Sequence, residues 1–408
     1  MNEESLVGLA RGIQLKERSL KAIELKSAAA GCPNSLYDTL SAFSNQNGGG
    51  VILFGLDEEK GHRVVGVYDP DNLKLQVESQ CSEMEPAILP LFTTAEIDGK
   101  TIVAAEIPPA NIPERPVFYK GLGRLKGAWV RVGSANEPIN EYEVFRYDAF
   151  RRRIHDDLRI VESATLSSLS TYMVKKCLST VRKENLSTSS MADDKLLGLM
   201  GVARDGKPTL AGVMCFSAHP QAIFRQLCVV GLVVPGTSIS TGERFTESRR
   251  IEGTIKEMVE NATLFVERNM RRKNIPKNGR RVEKPEYPLP AIRESIINAL
   301  MHRDYSPRSE GVPVRITMFS DRLEIRSEGA LFGHLGIEKL GRAKMDTRNE
   351  TIASILETQK VVENRYSGIS TIYRAMREHN LPDPIFQSVD GYFQVTLLSD
   401  YGKRISRS

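Results

Sequence analysis

Residues 40–57 read LSAFSNQNGGGVILFGLD, and this stretch decides how the first third of the chain folds. Leu36, Leu40 and Phe43 recur at helical spacing, so an amphipathic helix runs into it. The helix stops in Ser44-Asn45-Gln46-Asn47. Gly48, Gly49 and Gly50 follow, and such residues permit positive φ and close approach of another backbone. Val51-Ile52-Leu53-Phe54 is then an apolar run of the kind a buried strand makes. It delivers Gly55 and Asp57 to its far end, where an α/β domain usually displays its working groups. Two readings of the glycine turn stay open: a plain helix-to-strand connection, or a junction that meets a ligand.

Working outward, residues 22–26 alternate apolar and charged, which suits a half-buried strand. Cys32-Pro33-Asn34-Ser35 breaks that pattern and offers Asn34 or Ser35 as a helix cap. Downstream the sequence predicts a hairpin turn at 58–61 with a return strand at 64–67, a helix over 72–81 and strands over 95–107 about Asp98-Gly99. A final strand pair is expected at 115–119 and 128–134, and a helix from Glu141 ends in Arg151-Arg152-Arg153. This is an α/β unit spanning 1–156. A middle α/β region, 157–289, reads as helix over 161–183, strands over 210–216 and 227–234, and a long helix over 251–271. The basic, proline-containing residues 273–288 read as a linker. The last region, 290–408, has an amphipathic helix at 291–300, a hairpin of 314–319 with 322–327, and a closing strand over 392–398. The fold class is α/β, in its α+β sense.

Composition bounds the rest. With 408 residues, 40% hydrophobic and 26% charged, the chain suits two or three globular domains. No run approaches the roughly 20 apolar residues of a bilayer span, so no membrane partner is expected. The start, MNEESLVGLARG, lacks the apolar core of a secretory signal. The five cysteines are scattered and never in a Cys-x-x-Cys pair, which argues against a disulfide framework or a zinc site and for a reducing cytoplasm. Ser and Cys nucleophiles lack a His/Asp partner set, so hydrolase triads are discounted. Net charge is only +5, but the cations cluster: Arg151 to Arg153, Arg249-Arg250, and Arg268, Arg271, Arg272, Lys273, Lys277, Arg280, Arg281 and Lys284. Such runs are either solvated faces or phosphate-binding surfaces.

Several motifs carry a family resemblance. Glu24-Leu25-Lys26, Ala42-Phe43-Ser44-Asn45, Gly48-Gly49, Leu53-Phe54-Gly55-Leu56-Asp57, Val65-Gly66-Val67, Arg115-Pro116 and Val130-Arg131-Val132-Gly133-Ser134 follow in order. Together they resemble the Schlafen/AlbA-like (divergent AAA) domain of bacterial proteins. Glu294-Ser295-Ile296-Ile297-Asn298-Ala299, His302-Arg303-Asp304-Tyr305 and Asp321-Arg322-Leu323-Glu324-Ile325 resemble the C-terminal half of the same proteins. That half is similar to the Bergerat fold of the GHKL ATPases. The resemblance implies a mixed-sheet domain in front, a middle α/β region, and a degenerate Bergerat-type sandwich over 290–408.

What the resemblance implies for function follows. In that superfamily the helix Asn binds a Mg2+ that bridges the nucleotide phosphates and the Glu activates water; Asn298 and Glu294 hold the matching positions. His302, Arg303, Asp304, Gly329, Arg348, Asn349 and Gly368 complete the expected ATP-binding set. The loops depart from the family pattern: Ser327-Glu328-Gly329 stands for Asn-Pro-Gly, Arg348-Asn349-Glu350 for Arg-Asn-Pro, and Tyr366-Ser367-Gly368-Ile369 for Gly-x-Gly-Ile. A scaffold or dimerisation role for this half is the competing reading. The winged helix with which such proteins often end is not seen after Leu398.

Schlafen-type nucleases use three carboxylates for metal-assisted phosphodiester cleavage. Glu24 and Asp57 match two, with Lys26 beside them; the third falls on Ser19, and Glu17 is the nearest stand-in. Glu24, Asp57 and Asn298 are thus the expected metal ligands, for Mg2+ or Mn2+. The first expectation is a cytoplasmic, nucleic-acid-binding, ATP-binding transcriptional regulator. It would grip DNA or RNA phosphates through Arg131, Arg151, Arg152, Arg153, Arg271, Arg272 and Lys273. The alternatives are a metal-dependent RNA endonuclease of phage defence or stress, with Glu17, Glu24, Asp57 and Lys26 catalytic, and a non-catalytic homo-oligomeric assembly subunit.

Overall fold

The structure, a computed structural model, describes residues 1–16, 22–58, 61–152, 154–239, 245–277, 280–332, 337, 340–341, 346–362, 368–389 and 391–400. The chain divides into two compact units, Met1–Ile154 and His155–Ser408. Among the described residues no helix is long and apolar enough to cross a membrane. Glu17, Arg153, Tyr366 and Ser367 lie outside the described residues.

The front unit is a mixed four-stranded sheet in the order Ile23–Lys26, Gly50–Phe54, Lys100–Ile107, Leu91–Ile97. The first two strands run parallel, with Glu24 opposite Ile52, and the others are antiparallel. Apolar residues in both phases of the Val51-Ile52-Leu53-Phe54 run have a simple cause: both faces of the sheet are covered. Ile52 and Phe54 pack into one core with Leu40, Phe43, Leu73 and Val77, from helices Tyr37–Asn45 and Pro70–Ser82. Leu53 enters the opposite core with Leu6, Ala10 and Ile13 of helix Glu3–Lys16.

The three glycines serve this packing. Gly49 has φ +65°, and a Cβ there would meet Ile107 O and, at 3.0 Å, Pro109 Cδ. A Cβ on Gly50 would enter the Phe43 ring, whereas one on Gly48 would meet nothing. The turn is therefore a close approach of protein to protein.

The polar residues before it are a buried plug. Asn45, only 4% exposed, donates to Val117 O and Trp129 O, both at 3.0 Å, and accepts from Val117 N at 2.8 Å. Ser41 Oγ donates to Val117 O and accepts from Trp129 N. Arg115 holds the exit of the helix through Asn47 Oδ1, Gln46 O and Ala110 O. This explains a difference from expectation. Segments 115–119 and 128–134 do not form one strand pair: Phe118–Tyr119 pairs with Met84–Glu85, and Trp129–Val132 with Ala135–Pro138. They meet at a single bridge, Phe118 to Ala128, because Ser41 and Asn45 occupy their neighbouring backbone groups.

The rear unit is built on six strands in the order Glu247–Ile251, Val229–Val233, Val314–Met318, Arg322–Glu328, Tyr392–Leu398, Ile385–Val389. Helices Ile255–Asn269, Leu289–His302 and Gly368–Glu378 pack together over it. One continuous apolar core runs from Val161 to Leu397, so residues on both sides of position 290 share it.

Two expectations change here. Leu210–Phe216 is a helix, with Thr209 Oγ1 accepting from Gly212 N at its start. All seven of its residues are buried, which erases the polar face that would have revealed the helical period. Residues 273–288 are not a bare linker: Arg272–Lys277 and Arg280–Pro285 pair as an antiparallel hairpin. Proline at 276 and 285 disguised it, since each falls where a two-stranded ribbon has an open edge.

Candidate functional site

Helix Leu289–His302 buries Ala291, Ile292, Ser295, Ile296 and Ala299 against the core. Glu294, Asn298 and His302, four residues apart, form the half-buried stripe left on another face. The stripe meets the start of helix Gly368–Glu378. A Cβ at Gly368 would collide with Glu294 Oε1 and lie 2.9 Å from Asn298 Nδ2. Glycine is required here by side-chain contact, and the Glu294 carboxylate sits at a helix N-terminus, where backbone dipoles favour negative charge. Asn298 Nδ2 lies 3.4 Å from Glu294 Oε1.

Asn298, His302 and Gly368 open onto a cavity that is partly open to solvent. Its apolar wall is Leu331, Phe332, Leu340, Ile369 and Phe393; Ser327, Asp346 and Thr347 supply polar groups. Gly329 also lines it, with φ +103° and Asp304 N only 2.8 Å from where a Cβ would be. A mostly apolar cleft with a few placed polar groups is the ordinary form of a small-molecule site. His302 is neutral at physiological pH: desolvation and the neighbouring Arg348 cation push its pKa down to about 4.

The other expected ATP-binding residues are turned elsewhere. Arg303 is 1% exposed and donates to Ser309 O and Val312 O. Asp304 pairs with Arg348 at 3.2 Å and accepts from Ser306 N. Asn349 donates to Met301 O and Arg303 O, both at 2.8 Å, and Arg348 donates to Ala330 O. These four frame the cavity from behind and form no part of its wall. Missing from the sequence reading were Leu331, Phe332, Leu340, Asp346, Thr347 and Phe393. Most sit in irregular segments whose composition carries no period.

In the front unit the expected nuclease residues are differently placed. The Glu24 carboxylate is paired with Arg131 at 3.1 Å and Lys26 at 3.0 Å. Arg131 is itself buried, with its side chain 3% exposed, and donates to Asn136 Oδ1 while lying over the Phe43 ring. It is thereby withdrawn from the phosphate-contact set. Asp57 lies in strand Leu56–Asp57, opposite Arg63. Among the described residues no three His, Cys, Asp or Glu side chains gather as a metal site. Of the surface cations, Arg151 pairs with Asp148, Arg152 is exposed, and Arg272 pairs at 3.4 Å with Glu267 and Glu283. Arg271 pairs with buried Glu286, and Lys273 is exposed.

Comparison with known proteins follows this division. Residues 18–140 match the family model "Schlafen, AlbA_2". Residues 311–397 match "Putative ATP-dependent DNA helicase recG C-terminal" (HATPase_c_4). The second match includes Gly329, Gly368 and much of the cavity wall; Glu294, Asn298 and His302 precede it. No curated protein matches the chain. Among solved structures, the DIP2311 protein from Corynebacterium diphtheriae is 18% identical, covering 97% of this chain and 80% of that one, with a TM-score of 0.46. The N-terminal domain of a "Putative ATP-dependent DNA Helicase RecG-related Protein" from Nitrosomonas europaea is 30% identical, covering 33% of this chain and 93% of that one, with a TM-score of 0.27. The chain belongs to the proteins that carry a Schlafen AlbA_2 domain, here over 18–140, and a recG-type C-terminal ATPase-like domain, here over 311–397.

Proposed function

We propose that the chain is a nucleic-acid-binding regulatory protein whose rear unit binds ATP. The observation that carries this reading is the convergence of Asn298, His302, Gly329 and Gly368 on one largely apolar cavity, much of whose wall lies in the ATPase-like match over 311–397. Phe332, Leu340, Ile369 and Phe393 suit a flat heterocycle, and Asp346 and Thr347 offer hydrogen bonds to its edge. Neutral His302 can donate or accept without adding charge.

A magnesium ion, when bound with the nucleotide, would offset the phosphate charge. The residue fitted to hold it is Asn298: its amide nitrogen is turned toward Glu294, which leaves the oxygen for a hard cation. Glu294 is committed to the start of helix Gly368–Glu378, which favours binding over turnover. The nucleic-acid part rests on the AlbA_2 family of the front unit and on the clustered cations.

Calorimetric titration with ATP and Mg2+ tests the first part. Saturable binding, lost in Asn298→Ala with the unfolding midpoint unchanged, is expected. Absence of binding by the wild-type chain overturns it. For the second part, affinity for labelled DNA or RNA should fall steeply between 50 mM and 200 mM salt.

A further inference from the structure

The rear unit holds a second cavity, which shares no lining residue with the one beside Asn298. Three helices meet at it: Thr171–Glu184, Ile255–Asn269 and the end of Glu350–Thr358. Its inner side is soft and apolar, made by Met173, Cys177 and Cys215. Its open side carries one ammonium group from each of the three, Lys176, Lys256 and Lys360. Tyr172, 73% exposed, stands at the same rim, with Lys176 Nζ 6.0 Å from the centre of its ring.

These cations are not absorbed by the fold. Among the described residues neither Lys256 nor Lys360 is in an ion pair. Of the two carboxylates at the cavity, Glu257 is held by its own helix start, accepting from Thr254 N at 2.7 Å and Thr254 Oγ1 at 2.8 Å. Glu260 is exposed, and one such carboxylate against three ammonium groups leaves the rim positive. Lys360 also has φ +57°, just past a helix end, where glycine is the ordinary residue. A lysine there meets a steric cost that glycine avoids, and what it adds is a cation on the rim.

A second observation concerns the inner side. Gln359 lines the cavity next to Lys360, and its Nε2 donates to Cys215 O at 3.4 Å, which fixes how the amide is turned. The Oε1 atom is buried with no hydrogen-bond partner among the described residues. A buried acceptor left unpaired is unfavourable, and a donor on an occupant of the cavity would satisfy it.

We propose that this cavity is a second small-molecule site, taking an aromatic acid that carries one N–H or O–H. The ring packs on Met173, whose thioether suits an aromatic edge. The donor meets Gln359 Oε1, and the acid group meets the lysines in charge-assisted hydrogen bonds. This site is independent of the ATP and nucleic-acid reading.

Anilinonaphthalene sulfonate, with its rings, one N–H and a sulfonate, is the probe; neutral N-phenylnaphthylamine is its counterpart without the acid. Fluorescence titration of the full chain should show saturable binding of the sulfonate, weakened by added salt. Lys256→Gln/Lys360→Gln should weaken it roughly fivefold, with the neutral probe's affinity and the unfolding midpoint unchanged. Gln359→Leu should weaken both probes and leave the midpoint at or above the wild-type value. If the wild type binds neither probe, the inference fails. A lysine variant that binds the sulfonate as the wild type does, or that loses both probes equally, overturns the acid assignment. A Gln359→Leu chain matching the wild type on both probes overturns the role of the amide. ATP binding is read separately, by calorimetry with Asn298→Ala, so failure here and failure there are distinguishable.

Discussion

Glu24 and Arg131 form an ion pair of 3.1 Å in which the arginine side chain is only 3% exposed. The carboxylate is on strand Ile23–Lys26 and the guanidinium on strand Trp129–Val132, so the pair ties two sheets of the front unit. Truncating one member leaves a buried cation short of its partner. Glu24→Gln should therefore destabilise the chain by about 1–3 kcal/mol. Urea unfolding followed by circular dichroism measures it. A midpoint unchanged from wild type, together with loss of a Mg2+- or Mn2+-dependent RNA cleavage that the wild type performs, would instead make Glu24 catalytic.

The glycine turn gives a sharper contrast, within three consecutive residues. Gly50→Ala drives a methyl into the Phe43 ring of a close-packed core. Overpacking of this kind costs typically about 1–3 kcal/mol. Gly48→Ala meets nothing and has no positive φ, so it should be neutral or gain a few tenths of a kcal/mol from a stiffer unfolded chain. Equal effects at the two positions would mean that the turn holds something other than Phe43.

Gly368→Ala addresses the rear cavity in the same manner. The added Cβ presses on Glu294 and Asn298 together. ATP affinity should drop at least tenfold, roughly 1.4 kcal/mol or more, while any affinity for labelled DNA or RNA stays at the wild-type value. Full retention of ATP binding would place the phosphates elsewhere.

How much of this was legible beforehand divides along physical lines. The hairpin at Ser320-Asp321 was readable because the alternation of strand Arg322–Glu328 meets a turn. The helix stripe Glu294, Asn298, His302 was readable as spacing. Helix Leu210–Phe216 was not, because total burial leaves no polar face. Nor was the diversion of Arg303, Asp304, Arg348 and Asn349 into a frame behind the cavity. Motif position shows that residues lie near one another, but not whether a polar group points at a ligand or at a neighbouring carbonyl. Arg131 was mistaken for a surface cation for the same reason: its partner Glu24 is 107 positions away, beyond any local pattern.

Asp156 offers a test of electrostatics. Burial, then the nearby Asp304 charge, raises its pKa to about 6. A carboxyl raised in the folded state contributes most below its unfolded pKa of about 4. That contribution is lost as pH rises through 6. Asp156→Asn should thus be more stable than wild type at pH 7 by about 1 kcal/mol, after discounting for solvent screening of a half-exposed group. The difference should vanish below about pH 4. An Asn variant less stable at pH 7 would show that Arg159 and Arg348 outweigh the burial.

His302 works in the opposite sense. Its pKa is lowered to about 4, by desolvation first and by Arg348 second. A histidine depressed on folding lends stability that is whole above its unfolded pKa, about 6.5, and drains away as pH falls toward 4. In the ligand-free chain the ring stays neutral between pH 6.5 and 8, so its proton resonances should hold constant from pH 8 down to about 5. Arg348→Met removes the second cause and should move the midpoint upward without restoring the free value, since burial remains. A resonance titrating near 6.5 in the wild-type chain would mean that the imidazole faces water, and the cavity wall would have to be redrawn without it.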